Sequence, residues 1–144
     1  MAIVRKVAFL NYSAKQMYAL VERIEDYPNF IPWCSEVNVK RDKQNRHVIA
    51  AMTINFRGIK QKFSTANVNE DSRKIHIRLL KGPLKKLDAN WTFIPLSHSS
   101  CYVEFYIDYE FITPFIAQMV SPFFDLVSNV IVKAFLKKAK TTYL

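Results

Sequence analysis

The groups able to carry covalent or acid–base chemistry in this chain are few, and their spacing assembles no recognised constellation. His47, His76 and His98 are its three histidines, and none lies four residues from another or beside a helical Glu. That spacing offers no zinc site. The two cysteines, Cys34 and Cys101, are too few and too distant for a disulfide framework. They read as reduced, small apolar residues. Gly58 and Gly82 are the only glycines, so the chain has neither a dinucleotide fingerprint nor a P-loop. A nucleophile elbow is also absent. Asp88, Glu104, Asp108 and Glu110 alternate with apolar residues and read as a solvated strand face, not as general acids or bases. The expectation is a protein without catalytic residues, metal or required cofactor. What remains is non-covalent chemistry.

Two such chemistries have ample material. Half of the 144 residues are hydrophobic and 14% are aromatic, enough for one domain over residues 1–144 with a full core. Formal net charge is +9, which attracts nucleic acid or an anionic membrane without specifying either. Met1 leads into a short alternating segment instead of an apolar block, so no signal peptide is expected. No run reaches the ~20 apolar residues of a membrane span. The expected place is the bacterial cytoplasm, with peripheral contact at the inner membrane.

The elements that must position these residues follow from periodicity. Ile3, Val7 and Phe9 mark a first strand. Ser13 and Gln16 form a capping box, followed at helical spacing by Ala14, Met17, Tyr18, Val21 and Ile24. This helix has to stop before Pro28. Asp26 to Cys34 then reads as an irregular apolar loop, a lid or lip over the core. From Val37 to Ile112 the period is two, with turn clusters at 42–46, 69–72 and 97–100 and a break at Gly82-Pro83. That is an antiparallel meander covered on one face. Thr113-Pro114 and Ser121-Pro122 both suit a helix start. Phe115, Met119, Phe123, Val127, Val130, Ile131, Ala134 and Phe135 share one helical stripe, which only the sheet can cover. Pro122 either kinks one long helix or separates two.

Several of these residues also form a pattern. Tyr27-Pro28-x-Phe30-x-Pro32-Trp33-Cys34, Gly82-Pro83-Leu84-Lys85-x-Leu87, Trp91-x-Phe93-x-Pro95, Cys101-x-Val103-x-Phe105 and Ala134-Phe135 occur in that order. The chain thereby resembles, over nearly its whole length, the coenzyme Q-binding branch of the START-like superfamily. That resemblance implies an α+β helix-grip fold: a curved seven-stranded antiparallel sheet wrapping a long C-terminal helix, with a helical excursion after strand 1. It further implies non-enzymatic binding of ubiquinone or a similar polyprenyl lipid in a hydrophobic tunnel, in support of respiration. A bacterial branch of the same family acts as toxins that bind the large ribosomal subunit and block subunit joining, with a small antitoxin protein as a further partner. Two positions depart from the pattern: Asp88-Ala89-Asn90 replaces a glycine-bearing stretch, and Pro122 interrupts the last helix.

Two residue sets serve these two roles. Met52, Ile54, Phe56, Phe63, Trp91, Phe93, Phe105, Phe123, Val127 and Ile131 fall on inward positions and would line the tunnel. An isoprenoid tail there gains about 25 cal/mol per Å² removed from water. Tyr27, Phe30, Trp33, Cys34 and Gln61 would form the mouth, with Gln61, Tyr27 and Cys34 as donors to a ring. Arg57, Lys60, Lys62, Lys74, Arg78, Lys81, Lys85 and Lys86 fall on outward or strand-end positions as a basic band for ribosomal RNA. Few outward aromatics accompany them, so phosphate contact is expected rather than base stacking.

Overall fold

A period of two gives each strand a wet face and a dry face, and seven such strands have to share one cover. The computed structural model describes residues 2–143, with Ser128 described by its backbone alone. Its strands are β1 (Ala2–Leu10), β2 (Cys34–Arg41), β3 (His47–Phe56), β4 (Ile59–Glu70), β5 (Lys74–Lys81), β6 (Leu84–Ser97) and β7 (Ser100–Phe111). They form one antiparallel sheet in the order β1-β7-β6-β5-β4-β3-β2. Between β1 and β2 lie helix α1 (Ala14–Glu22), a 3-10 turn (Ile24–Asp26) and α2 (Tyr27–Phe30); α3 (Pro114–Thr142) closes the chain.

Local chemistry explains the joints. Ser13 Oγ accepts from the Gln16 amide at 3.0 Å, and Gln16 Oε1 accepts from the Ser13 amide at 2.9 Å. Each satisfies an amide that the first turn leaves orphaned. The β3–β4 hairpin turns on Arg57 and Gly58, at φ +52° and +79°, the left-handed pair that matches strand twist. Register shifts at Cys34/Glu36, Ser64/Thr65, Leu84/Lys86 and Pro95/Ser97 bend the sheet. Asp88 to Asn90 pairs on both sides without a shift. Curvature is taken up at the ends of β6 instead.

Two details differ from the sequence reading, and one alternative that it left open is decided. Tyr27 to Phe30 is a helical turn and not an irregular loop, because Pro28 sits where a first turn needs no N–H donor. Only one C-terminal helix forms: Thr113 Oγ1 caps it by accepting from the Ile116 amide at 3.1 Å, while Pro122 lies inside it. Val120, Phe123 and Phe124 are buried around that proline, so packing holds the helix across the missing hydrogen bond. Phe115, expected in the buried stripe, is 68% exposed. Helix α3 starts just after β7 ends, and its first turn has no strand beneath it. By length and composition α3 is apolar enough to cross a membrane, which the broken apolar run concealed. Here it lies across the concave face of the sheet.

The core is pinned where that helix meets the excursion. Phe135 is buried, with its ring centroid 5.4 Å from Tyr27, 5.5 Å from Phe30 and 5.4 Å from Trp91. A second fastening is polar. Arg41, at the end of β2, donates to the carboxylates of Glu22 and Glu25 at 2.9 and 2.7 Å and to the Glu22 carbonyl at 2.8 Å. Burial of Phe135 against rings from α2 and β6 predicts that Phe135→Ala costs about 3–5 kcal/mol, the range for a large core truncation. Urea denaturation followed by tryptophan fluorescence checks it, and a loss under 1 kcal/mol would remove Phe135 from its central place.

Candidate functional site

Two apolar cavities lie between the sheet and its helical cover. The larger, about 120 Å³, lies under α1, the 3-10 turn and α2. Val21, Ile24 and Tyr27 roof it; Met52, Phe63, Ile75, Ile77 and Trp91 wall it; Thr65, Asn67 and Asn69 of β4 also face it. The smaller, about 20 Å³, lies toward the start of α3, among Ile54, Phe56, Ile59, Gln61, Phe63, Met119, Val120 and Phe123. Phe63 lines both. Its ring is held from behind by Gly82, where an added Cβ would come within 3.0 Å of Phe63 Cδ1. Glycine in that turn is therefore a packing requirement.

The residues named from the sequence distribute as follows. Met52, Phe63 and Trp91 line the larger cavity; Ile54, Phe56, Phe63 and Phe123 line the smaller. Phe93, Phe105 and Ile131 are buried in the core but line neither, and half-buried Val127 lines neither. Among the mouth residues, Tyr27 faces the larger cavity and its hydroxyl donates to the Val21 carbonyl. Gln61 faces the smaller one. Phe30 and Trp33 line an outer groove against Leu126, Val130 and Lys138 of α3, with Trp33 edge-on to Phe123 at 5.2 Å. Cys34 is buried in the core, and burial pushes its thiol up to about 11.

Sequence reasoning passed over the polar residues of the larger cavity. Asn67 and Asn69 are 4% and 3% exposed. Asn69 is tied down: its amide nitrogen donates to the Asn45 carbonyl at 3.2 Å. Asn67 is not. Its Oδ1 is sealed from solvent and has no hydrogen-bond partner, a defect that costs roughly 1–3 kcal/mol. Continuing the alternation from Phe63 through Thr65 would have placed both on the inner face. Glu22 also reaches this cavity, yet its carboxylate already accepts from Arg41 at 2.9 Å and from Asn45 at 3.0 Å. It is committed to the fold, not poised for proton transfer.

The opposite face is charged. Arg57, Lys60, Lys62, Lys74, Arg78, Lys81, Lys85 and Lys86 are all exposed. Register places Lys81 opposite Ser64 and Arg78 opposite Ala66 on β4, while Lys60 and Lys62 lie opposite Asn55 and Thr53 of β3, beyond the β4–β5 ladder. Lys86 donates to Asp108 at 2.7 Å and Lys85 lies 3.8 Å from Glu110. Those two belong to ion pairs with β7. Among the described residues the other six have no carboxylate partner.

A concave sheet gripping a helix over buried apolar space defines a domain built to enclose a hydrophobic ligand. Residues 10–136 match the family described as polyketide cyclase / dehydrase and lipid transport, and the chain belongs to that family. It is 34% identical over 140 residues to the ribosome association toxin RatA of Escherichia coli (strain K12), covering 97% of this chain and 88% of that one. The mitochondrial coenzyme Q-binding protein COQ10 of Dictyostelium discoideum is 26% identical over 137 residues, covering 93% of this chain and 67% of that one. Among solved structures, a START superfamily protein from Mycobacterium smegmatis superposes with TM-score 0.83 at 20% identity, covering 96% of this chain and 97% of that one. The Zhui aromatase/cyclase from Streptomyces superposes with TM-score 0.85 at 13% identity, covering 96% and 93%. The helix-grip fold expected from the sequence motifs is the one found.

The burial of Cys34 makes a prediction. A thiol held near 11 is almost wholly protonated at neutral pH, and the thiolate is the reactive form. Native protein at pH 7.5 is expected to react with an aromatic disulfide reagent far more slowly than urea-unfolded protein. Equal rates would mean that the segment at Cys34 opens freely.

Proposed function

We propose that this protein is a non-enzymatic carrier of an amphiphilic prenyl lipid of the ubiquinone class, held between the concave sheet and α3. The supporting observation is the pair of apolar cavities placed end to end along β4 and separated by one side chain, Phe63. Together they are far smaller than the ~300–1,000 Å³ of a ligand pocket. Uptake therefore requires Phe63 to swing aside and α3 to lift at its first turns. The similarity to a coenzyme Q-binding protein points to the same ligand class. Organic extraction of the purified protein with mass spectrometry should reveal a co-purifying prenyl quinone. Phe63→Ala should join the two cavities, lower stability by about 3–5 kcal/mol and bind added prenyl quinone more tightly than wild type. Protein that is reproducibly empty and takes up no added quinone would overturn the reading.

A second reading uses the outer face. Six exposed cations without carboxylate partners are grouped on β4, β5 and their turns, and relatives at 34% identity are ribosome association toxins. Under this reading the band contacts phosphates of the large ribosomal subunit, in the bacterial cytoplasm, and blocks joining of the small one. Such contacts weaken steeply with salt. Reversing Lys60, Lys62 and Lys74 to Glu should abolish co-sedimentation with large subunits at 100 mM salt while the circular dichroism spectrum stays unchanged. Undiminished co-sedimentation would remove the band from the interface. A small antitoxin protein as a restraining partner belongs to this reading as well.

A further inference from the structure

Among the described residues lining the larger cavity, Asn67 carries the one sealed side-chain polar atom left without a hydrogen bond. Its neighbour on the same strand face, Asn69, holds the β2–β3 turn through the Asn45 carbonyl. The Tyr27 hydroxyl is spent on the Val21 carbonyl, and the Glu22 carboxylate on Arg41 and Asn45. Asn67 is 4% exposed, and its Oδ1 meets no donor. A sealed polar atom without a partner calls for a physical account; Asn90 Oδ1 and Asp108 Oδ1 share that state, but only Asn67 faces a cavity with room for a ligand group.

The shape of the space says which group. A volume of about 120 Å³ is close to that of an apolar cavity of roughly 150 Å³ that takes up benzene. Trp91, Phe63 and Tyr27 offer aromatic faces or edges among the branched walls of Val21, Ile24, Ile75 and Ile77, and such a lining accepts a planar ring. Oδ1 requires a hydrogen-bond donor, and a hydroxyl meets that need. A rotated amide would present Nδ2 instead, and a hydroxyl oxygen accepts from that too. A ring carbonyl satisfies only the rotated form, and a methyl group neither.

We propose that Asn67 is the head-group recognition residue of the larger cavity, and that the group it takes is a hydroxyl on a six-membered ring, the phenol or hydroquinone class. The assignment rests on the lipid-carrier reading and refines it: the hydroxyl-bearing, reduced head binds in preference to the carbonyl-bearing, oxidised one.

Phenol and toluene, which differ by hydroxyl for methyl, are the probes. Each is titrated into wild-type protein and into Asn67→Leu, a near-isosteric change, with binding read by calorimetry. Phenol affinity should fall about tenfold in the variant, equivalent to about 1.4 kcal/mol, while toluene affinity holds or rises. In parallel, the Asn67 side-chain amide resonances of isotope-labelled wild type should shift on saturation with phenol and not with toluene. That measurement stands even where the variant does not fold. Equal phenol affinity in the two proteins, or amide resonances indifferent to phenol, overturns the assignment. Full prenyl-hydroquinone binding by Asn67→Leu removes the subsite and leaves the carrier reading in place. Wild type that binds neither prenyl quinone nor phenol removes both.

Discussion

A single antiparallel sheet with one apolar face has to be dried by something, and in this protein one helix and a short excursion share that work. The contact that joins them is aromatic. Phe135 on α3 meets Tyr27 and Phe30 from α2 and Trp91 from β6, in edge-on geometries between 65° and 85°. Such pairs add to the burial of their area. Without this junction α3 would be fastened to the sheet mainly near its start, where Phe124 stacks on Tyr109 at 4.6 Å. These aromatic contacts, at Phe124 and Phe135, hold α3 to the sheet and to the excursion. Phe63 packs edge-on to Phe124 at 6.3 Å, and space remains on either side of it.

Polar side chains of β4 on the inner face are concentrated at one end, with Gln61 alone at the other. Toward α3 the walls of β4 are Ile59 and Phe63 with Gln61 between, while toward α1 they are Thr65, Asn67 and Asn69. The polar end lies beneath the region where Arg41 binds Glu22 and Glu25 and so closes the excursion over the sheet. The Arg41 guanidinium holds the Glu25 carboxyl below its usual range, through their hydrogen bond first of all. Ion pairs of this kind at the rim keep the excursion seated, and they neutralise Glu22 where it reaches the larger cavity. Any ligand that fits both ends is asymmetric: apolar toward α3 and polar toward α1.

Much of the architecture was legible because local chemistry and global pattern agree. The Ser13–Gln16 box, the alternation from Val37 onward and the Thr113 cap each specify an element by themselves, and all three occur. Pro122 allowed one helix or two, and packing decided between them: Val120, Phe123 and Phe124 bury themselves and carry α3 through it. Where the reading failed, tertiary packing had overruled a local rule. Phe115 belongs to the stripe by spacing but overhangs the end of β7. Site residues were harder, because a period of two says which face a side chain takes and not what occupies the space in front of it. Phe93 and Phe105 point inward as faithfully as Met52 and Phe63; only the packing of α3 separates filled core from open cavity. Asn67 was missed for the opposite reason, since a polar residue on an apolar face attracts no attention when candidates are chosen for being greasy.

The two proposed roles meet on β4. Lys60 and Lys62 point outward while Gln61 and Phe63 point inward, and the same alternation continues to Asn67. One strand therefore supplies both the charge for a polyanion and the walls for a lipid, on opposite sides of a single pleated backbone. Charge changes at 60 and 62 leave the interior composition untouched, and changes at 63 and 67 leave the surface charge untouched. This geometry also limits how the roles could influence each other. The sheet keeps its register through β4's bonds to β3 and β5, so a rotation of Phe63 alone changes nothing outside. A ligand affects the outer face only if it shifts the backbone at the Ser64/Thr65 bulge, where the ladder to β5 is already interrupted and Lys81 sits opposite Ser64. At that bulge an interior event could reach the basic band.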